Sequence, residues 1–186
     1  MRFASTIFKN FLTVGVWTFV SRIFGFVRDI MLAAFLGSGP VAQAFIIAFA
    51  LPNIFRRFFA EGAFNAAFIP LFRKQMYNKN EAVQFTQNTM SMLILILLTF
   101  CSLAILLMPL LVLAMAAGFG SDSRFDLAVY YGRVTFPYIF MVSLSSLFGG
   151  ILNSYGKFSA TSAAPIILNV FLIFAMLLAY KLDLDM

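Results

Sequence analysis

The sequence predicts an all-α fold, a polytopic membrane bundle of about five transmembrane helices. Three observations predict it. Of 186 residues, 62% are hydrophobic and 11% are charged, with a mean hydropathy of +0.96. A soluble domain carries about 25% charged residues, so the alternative of a soluble, core-rich helical domain lacks the charge to coat its surface. The apolar residues also fall in runs of about 20 or more, the length that crosses a hydrocarbon layer about 30 Å thick. Finally, no alternating strand pattern, low-complexity tract or internal repeat interrupts them.

The spans are read in order, as one membrane domain over residues 1–186. The first runs over about 11–36 and ends at Gly37-Ser38-Gly39-Pro40, a turn sequence. The apolar run after Lys9 is longer than the core of a secretory signal and meets arginines instead of a small-residue cleavage site, so this helix is expected to stay as an anchor. The second covers about 41–62, contains Pro52, breaks near Gly62 and continues as an amphipathic piece to about Lys74. QMYNKNEAVQ, residues 75–84, reads as a polar loop. The third, about 90–116, includes LILILLTFCSLAILL and no charge. GFGSDSRFD, residues 118–126, reads as a second loop. The fourth, about 127–152, has Arg133 and Pro137 in its first half, and NSYGKFS at 153–159 is a tight turn. The fifth covers about 160–180.

Charge placement gives an orientation. Arg2, Lys9, Arg73, Lys74, Lys79 and Lys157 fall on one side; Arg124 and Lys181 fall on the other, beside Asp122, Asp126, Asp183 and Asp185. The positive-inside rule then puts the N-terminus in the cytoplasm and, with five spans, the C-terminus outside. The same rule accounts for the net charge of +6 without a nucleic-acid partner. There is no His, and Cys101 is the only cysteine, in an apolar run. No intrachain disulfide can form, and neither a metal nor another cofactor is expected. No nucleophile, base and oxyanion-donor set appears, nor a phosphate-cradling glycine loop, so no catalytic residues are expected.

The informative residues are charges inside the first two spans. Residues 11–36 hold 14 Leu, Ile, Val and Phe, contributing roughly −4 to −8 kcal/mol to insertion. Arg22, Arg28 and Asp29 cost roughly 8–10 kcal/mol if all were central. Arg28 and Asp29 lie nearer the outer end and cost less; Arg22 is close to the midpoint. Such a helix inserts poorly alone and needs protein or a wet cavity beside it. At 100° per residue, Arg22 and Asp29 lie about 20° apart and Arg28 about 120° from Arg22, so the three line a broad wall, with Asp29 available to an arginine of another helix. Gly25, between them, allows close approach of a neighbour or a ligand.

The second span repeats the anomaly in LPNIFRRFFAEGAFNAAFIP, residues 51–70. Pro52 removes a backbone donor and predicts a kink, with Asn53 a candidate partner for the freed carbonyls. Arg57 and Glu61 are spaced i,i+4 and suit a structural ion pair. Arg56 points about 100° away from Arg57 and is the better cavity residue. Arg73, Lys74 and Lys79 are topology signals, and Arg133 reaches outward near its helix end. For Arg22, Arg28 and Arg56 the plain alternative is helix–helix ion pairing, but one acid, Asp29, is left to serve all three. A guanidinium stays ionised and forks onto phosphate or carboxylate, so unmatched arginines within the membrane suit an anionic headgroup.

SRIFGFVRD at 21–29, LPNIFRRFFAEGAFNAAFIP at 51–70, TFPYIF at 135–140 and GGILNSYGKF at 149–158 resemble the start of the MurJ/MviN family of bacterial lipid II flippases. The likeness covers nearly the whole chain. It implies membership of the multidrug/oligosaccharidyl-lipid/polysaccharide flippase superfamily, whose members have about fourteen helices in two lobes around a cationic cavity and move lipid-linked peptidoglycan precursor to the periplasmic leaflet by alternating access. The family's cavity arginines match Arg22, Arg28 and Arg56, which would hold the pyrophosphate of lipid II; Asp29 matches an acid beside the second. Arg57, Glu61 and Gln43 have supporting roles, although many relatives have an acid where this chain has Gln43, in a stretch resembling TDAFF. Lipid II and membrane lipids are the implied partners, in the bacterial inner membrane. The chain is expected to be a truncated part of such a transporter, with the remainder as a partner. A cation-coupled drug exporter of the same superfamily would need cavity carboxylates in place of arginines, and a non-transporting subunit or remnant is the other alternative.

Overall fold

The structure is a computed structural model and describes residues 2–59, 63–120 and 122–182, with side chains over 11–57, 64–120 and 122–182. Among these residues there are eight α-helices and one short 3-10 turn, with no strand. Three helical stretches are long and apolar enough to cross a membrane by length and composition: Lys79–Leu106, Ser123–Ser154 and Phe158–Lys181. The residues group into two compact units.

The first unit contains α1 (Arg2–Leu36) and α8 (Phe158–Lys181), which pack against each other. Gly37 adopts a φ of 62° just after α1, a conformation that costs glycine little and stops the helix. Gly156, with a φ of 74°, makes the turn before α8. Phe35 of α1 meets Tyr180 of α8 edge-to-face, with centroids 6.2 Å apart.

The second unit contains α2 (Pro40–Phe59), α3 (Ala63–Gln75), α4 (Lys79–Leu106), α5 (Met108–Met115), α6 (Ser123–Thr135) and α7 (Tyr138–Ser154). Here α2 lies against α6 and α7, α3 against α7 and α4, and α5 against α6. The core is built from large apolar side chains, among them Phe72, Leu97, Met108, Phe136, Ile139 and Leu147. Phe55, Phe100 and Phe136 form one ring cluster, and Phe64, Phe68, Phe72 and Phe85 stack in another. Small residues permit the closest approaches. A Cβ on Gly132 would lie 2.7 Å from Met108 Sδ, and one on Gly150 would lie 2.7 Å from Asn65 Oδ1.

Several predicted boundaries move. The loop expected over 75–84 is mostly helix, because Asn78 caps α4: its side chain accepts from Asn80 N at 3.0 Å and donates to Glu81 Oε1 at 2.9 Å. Asn three residues before Glu is a helix start signal, hidden here in a polar stretch. The loop expected over 118–126 gives way likewise, with Asp122 capping α6. The third span is divided at Leu107 into α4 and α5. Pro109 is the cause: it cannot donate to the carbonyl of Ile105, four residues earlier. That carbonyl instead accepts from Arg133 Nε at 3.3 Å. The expected break near Gly62 lies outside the described residues. Pro52 sits inside α2 as predicted. Asn53 donates to Phe49 O at 2.9 Å, while the carbonyl Pro52 frees, that of Ala48, lies 3.4 Å from Thr135 Oγ1.

Candidate functional site

Arg28 is the most developed of the predicted site residues. It lies on α1 with its side chain 25% exposed. Its Nε and Nη2 both donate to Asp29 Oδ1, at 3.0 and 2.7 Å, and its Nη1 donates to Asn169 Oδ1 on α8 at 2.8 Å. A guanidinium has five N–H groups; three are engaged, which leaves two, one on each Nη nitrogen. These can donate to a further pair of anionic oxygens. Asp29 was expected to be available to an arginine of another helix, but it pairs with its own neighbour in the chain. Successive helix residues diverge by 100°, and the long Arg28 side chain bends back across that gap. Asp29 is 63% exposed, so the ion pair alone contributes only about 0–1 kcal/mol.

Gly25 does what its position suggests, with a protein neighbour. Asn169 Nδ2 lies 3.5 Å from where a Gly25 Cβ would be and donates to the carbonyl of Ser21 at 3.2 Å. Arg22 is exposed on α1, about 9 Å along the axis before Arg28. Asn169 was not singled out from sequence. The available signal was an amide in the apolar run IILNVFLIF, since polar residues in a spanning helix are costly.

In the second unit, Arg56 is half-buried and Arg57 exposed on the last turns of α2. Glu61, the expected partner of Arg57, lies outside the described residues. Gln43 is thirteen residues before Arg56, about 20 Å along α2. Its Oε1 accepts from Arg124 Nη1 at 2.6 Å, far from Arg56. Arg124 is held further by Asp122 Oδ2 at 2.5 Å and lies over the Phe119 ring at 4.5 Å. The Arg124 backbone N–H and guanidinium hold the Asp122 carboxyl below its ordinary value. Gln43 therefore joins a cluster that links the start of α2 to the start of α6. Arg133, expected to reach outward, is exposed but closes the Ile105 carbonyl.

The arrangement offers half-buried guanidinium groups on helices with apolar surroundings, and so suits binding of an anionic group. The family model described as lipid II flippase MurJ matches residues 32–183. A probable lipid II flippase MurJ of Rhizobium tropici is 45% identical over 181 residues, covering 95% of this chain and 34% of the relative. Its counterpart in Rickettsia prowazekii is 42% identical over 167 residues, covering 89% of this chain and 33% of the relative. A lipid II flippase MurJ of Burkholderia cenocepacia is 37% identical over 169 residues, covering 88% and 32%. The chain thus spans about a third of the length of the curated relatives it matches. With its long apolar helices, it is a multi-pass membrane protein. On the match over residues 32–183 and these identities, the chain belongs to the lipid II flippase MurJ family.

Proposed function

We propose that this chain supplies the arginine-bearing helices of a lipid II flippase. The transporter moves an undecaprenyl-pyrophosphate-linked precursor from the cytoplasmic to the periplasmic leaflet of the inner membrane, without catalysing a reaction. The N-terminus faces the cytoplasm, and the five spans follow the sequence reading. Arg22, Arg28 and Arg56 contact the pyrophosphate. The observation that carries this reading is Arg28, whose guanidinium is held by Asp29 and Asn169 with two N–H groups still to offer. Moving a pyrophosphate through hydrocarbon strips its hydration, at a cost of many kcal/mol, and fixed guanidinium groups replace the lost water contacts. Access alternates between the two sides as bodies move about the bound headgroup.

The test is complementation of a strain depleted of its own flippase. The chain is fused in frame to the remaining two thirds of the Rhizobium tropici relative, with membrane levels followed by blot. Arg22→Ala, Arg28→Ala and Arg56→Ala each abolish or strongly reduce growth at unchanged membrane levels, whereas Lys79→Ala is nearly silent. Full complementation by all three arginine variants would sink the proposal.

A further inference from the structure

Asn169 is only 5% exposed, on a helix whose sequence around it is apolar. A buried amide is costly unless both of its ends are bonded. Both ends are. Oδ1 accepts from Arg28 Nη1, and Nδ2 donates to the Ser21 carbonyl. Ser21, Gly25 and Arg28 are spaced i, i+4, i+7, so they share one face of α1. A Cβ at Gly25 would stand 3.5 Å from the amide nitrogen, so the amide lies directly over this position. The Ser21 carbonyl serves as the amide's fixed point, since a carbonyl oxygen has a second lone pair beyond the one used in its helix bond.

The chemical type of this partner matters. Hydrocarbon at position 169 would leave Nη1 without an acceptor and free the guanidinium to turn about its stem. A carboxylate would hold Nη1 but, added to Asp29, would leave the group net negative and repel an anion. A neutral amide anchored at its far end does neither. We propose that Asn169 is a positioning residue: it fixes Arg28 without adding a second negative charge to that of Asp29, so that the two remaining N–H groups stay presented to a diphosphate. Asn169 does not itself touch the diphosphate. This inference rests on the reading of Arg28 as a diphosphate contact.

The experiment uses the full chain in nanodiscs and has two readouts. In the first, with 15N-arginine labelling and no ligand, the Nη signals of Arg28 are identified by their loss in Arg28→Ala. Asn169→Ala is expected to speed rotation about the Cζ–Nη1 bond and merge those signals; unchanged signals overturn the positioning role. In the second, binding of undecaprenyl pyrophosphate is measured. Asn169→Ala weakens it about tenfold when Arg28 is present and by less than about twofold in the Arg28→Ala background, because the two residues act as one unit. Equal losses in both backgrounds overturn the proposal, since they mean that Asn169 acts through general packing. Asn169→Asp, nearly the same shape, loses the donor to the Ser21 carbonyl and adds a negative charge beside Arg28, so it lowers affinity at least as much as Asn169→Ala; tight binding by this variant also overturns the proposal. If Arg28→Ala leaves affinity unchanged, the reading of Arg28 as a diphosphate contact fails, while the 15N signals still decide whether Asn169 positions it.

Discussion

One substitution made at two glycines separates packing from backbone effects. Ala at position 150 places a methyl 2.7 Å from Asn65 Oδ1 and 3.2 Å from Phe68 Cδ1. Ordinary contact begins near 3.4 Å, so Asn65 must retreat by about 0.7 Å. Phe68 has little room to give, being 3% exposed and stacked on Phe64, Phe72 and Phe85. Overpacking of this kind costs about 1–3 kcal/mol. Ala at position 25 places its methyl 3.5 Å from Asn169 Nδ2, an ordinary contact with no strain. Both changes gain similar helix propensity, about 1 kcal/mol, so that gain cancels in the comparison. Gly150→Ala should therefore melt below Gly25→Ala by about 2–12 °C, taking 2–4 °C per kcal/mol for a chain of this size. Fluorescence-detected size-exclusion chromatography after heating in detergent measures this. Adding Asn65→Ala to Gly150→Ala removes the worst contact and should recover part of the loss. Equal melting of the two glycine variants, or no recovery in the double variant, would refute the packing argument.

Arg133→Ala should destabilise by about 0.5–1.5 kcal/mol through the orphaned Ile105 carbonyl, and Pro109→Ala should reduce that cost by returning a backbone donor; a thermal double-mutant cycle reads it. Gln43→Glu puts a carboxylate against Arg124 and should raise the melting temperature slightly, by an increment that shrinks in high salt. Asp122 has a folded-state value below the ordinary 3.8, so its contribution is complete above that value and is lost as pH falls through the depressed one. Amide protection in the first turn of α6 should accordingly hold above pH 3.8 and fall as the pH drops below it.

Much of the helical order was legible because apolar runs of membrane length leave few alternatives. What could not be read was pairing across long separations. Arg28 and Asp29 stood out as costly charges, yet Asn169 lies 141 residues from Arg28 in sequence, and no local pattern joins them. The same applies to Gln43 and Arg124, 81 residues apart. Local signals were missed for a different reason. The Asn78–Glu81 cap was masked by neighbouring Lys and Asn residues that also favour loops. Pro109 was masked by the unbroken hydrophobicity around it, since hydropathy reports insertion and is blind to a lost backbone donor. Pro52 was recognised, but the donor nearest its freed carbonyl, Thr135, comes from another helix.

That last feature bears on how the helices come together. The carbonyls released by Pro52 and Pro109 both face groups from one short helix, Thr135 and Arg133 of α6. Hydrocarbon offers no water to fill such vacancies. Until α6 packs against them, α2 and the α4–α5 junction thus carry two polar breaks that lack these neighbours. Docking of α6 closes the opening at Pro109 through Arg133 and, in the same step, brings Thr135 Oγ1 to 3.4 Å from the Ala48 carbonyl, so one short helix completes two proline breaks that lie far apart in the chain.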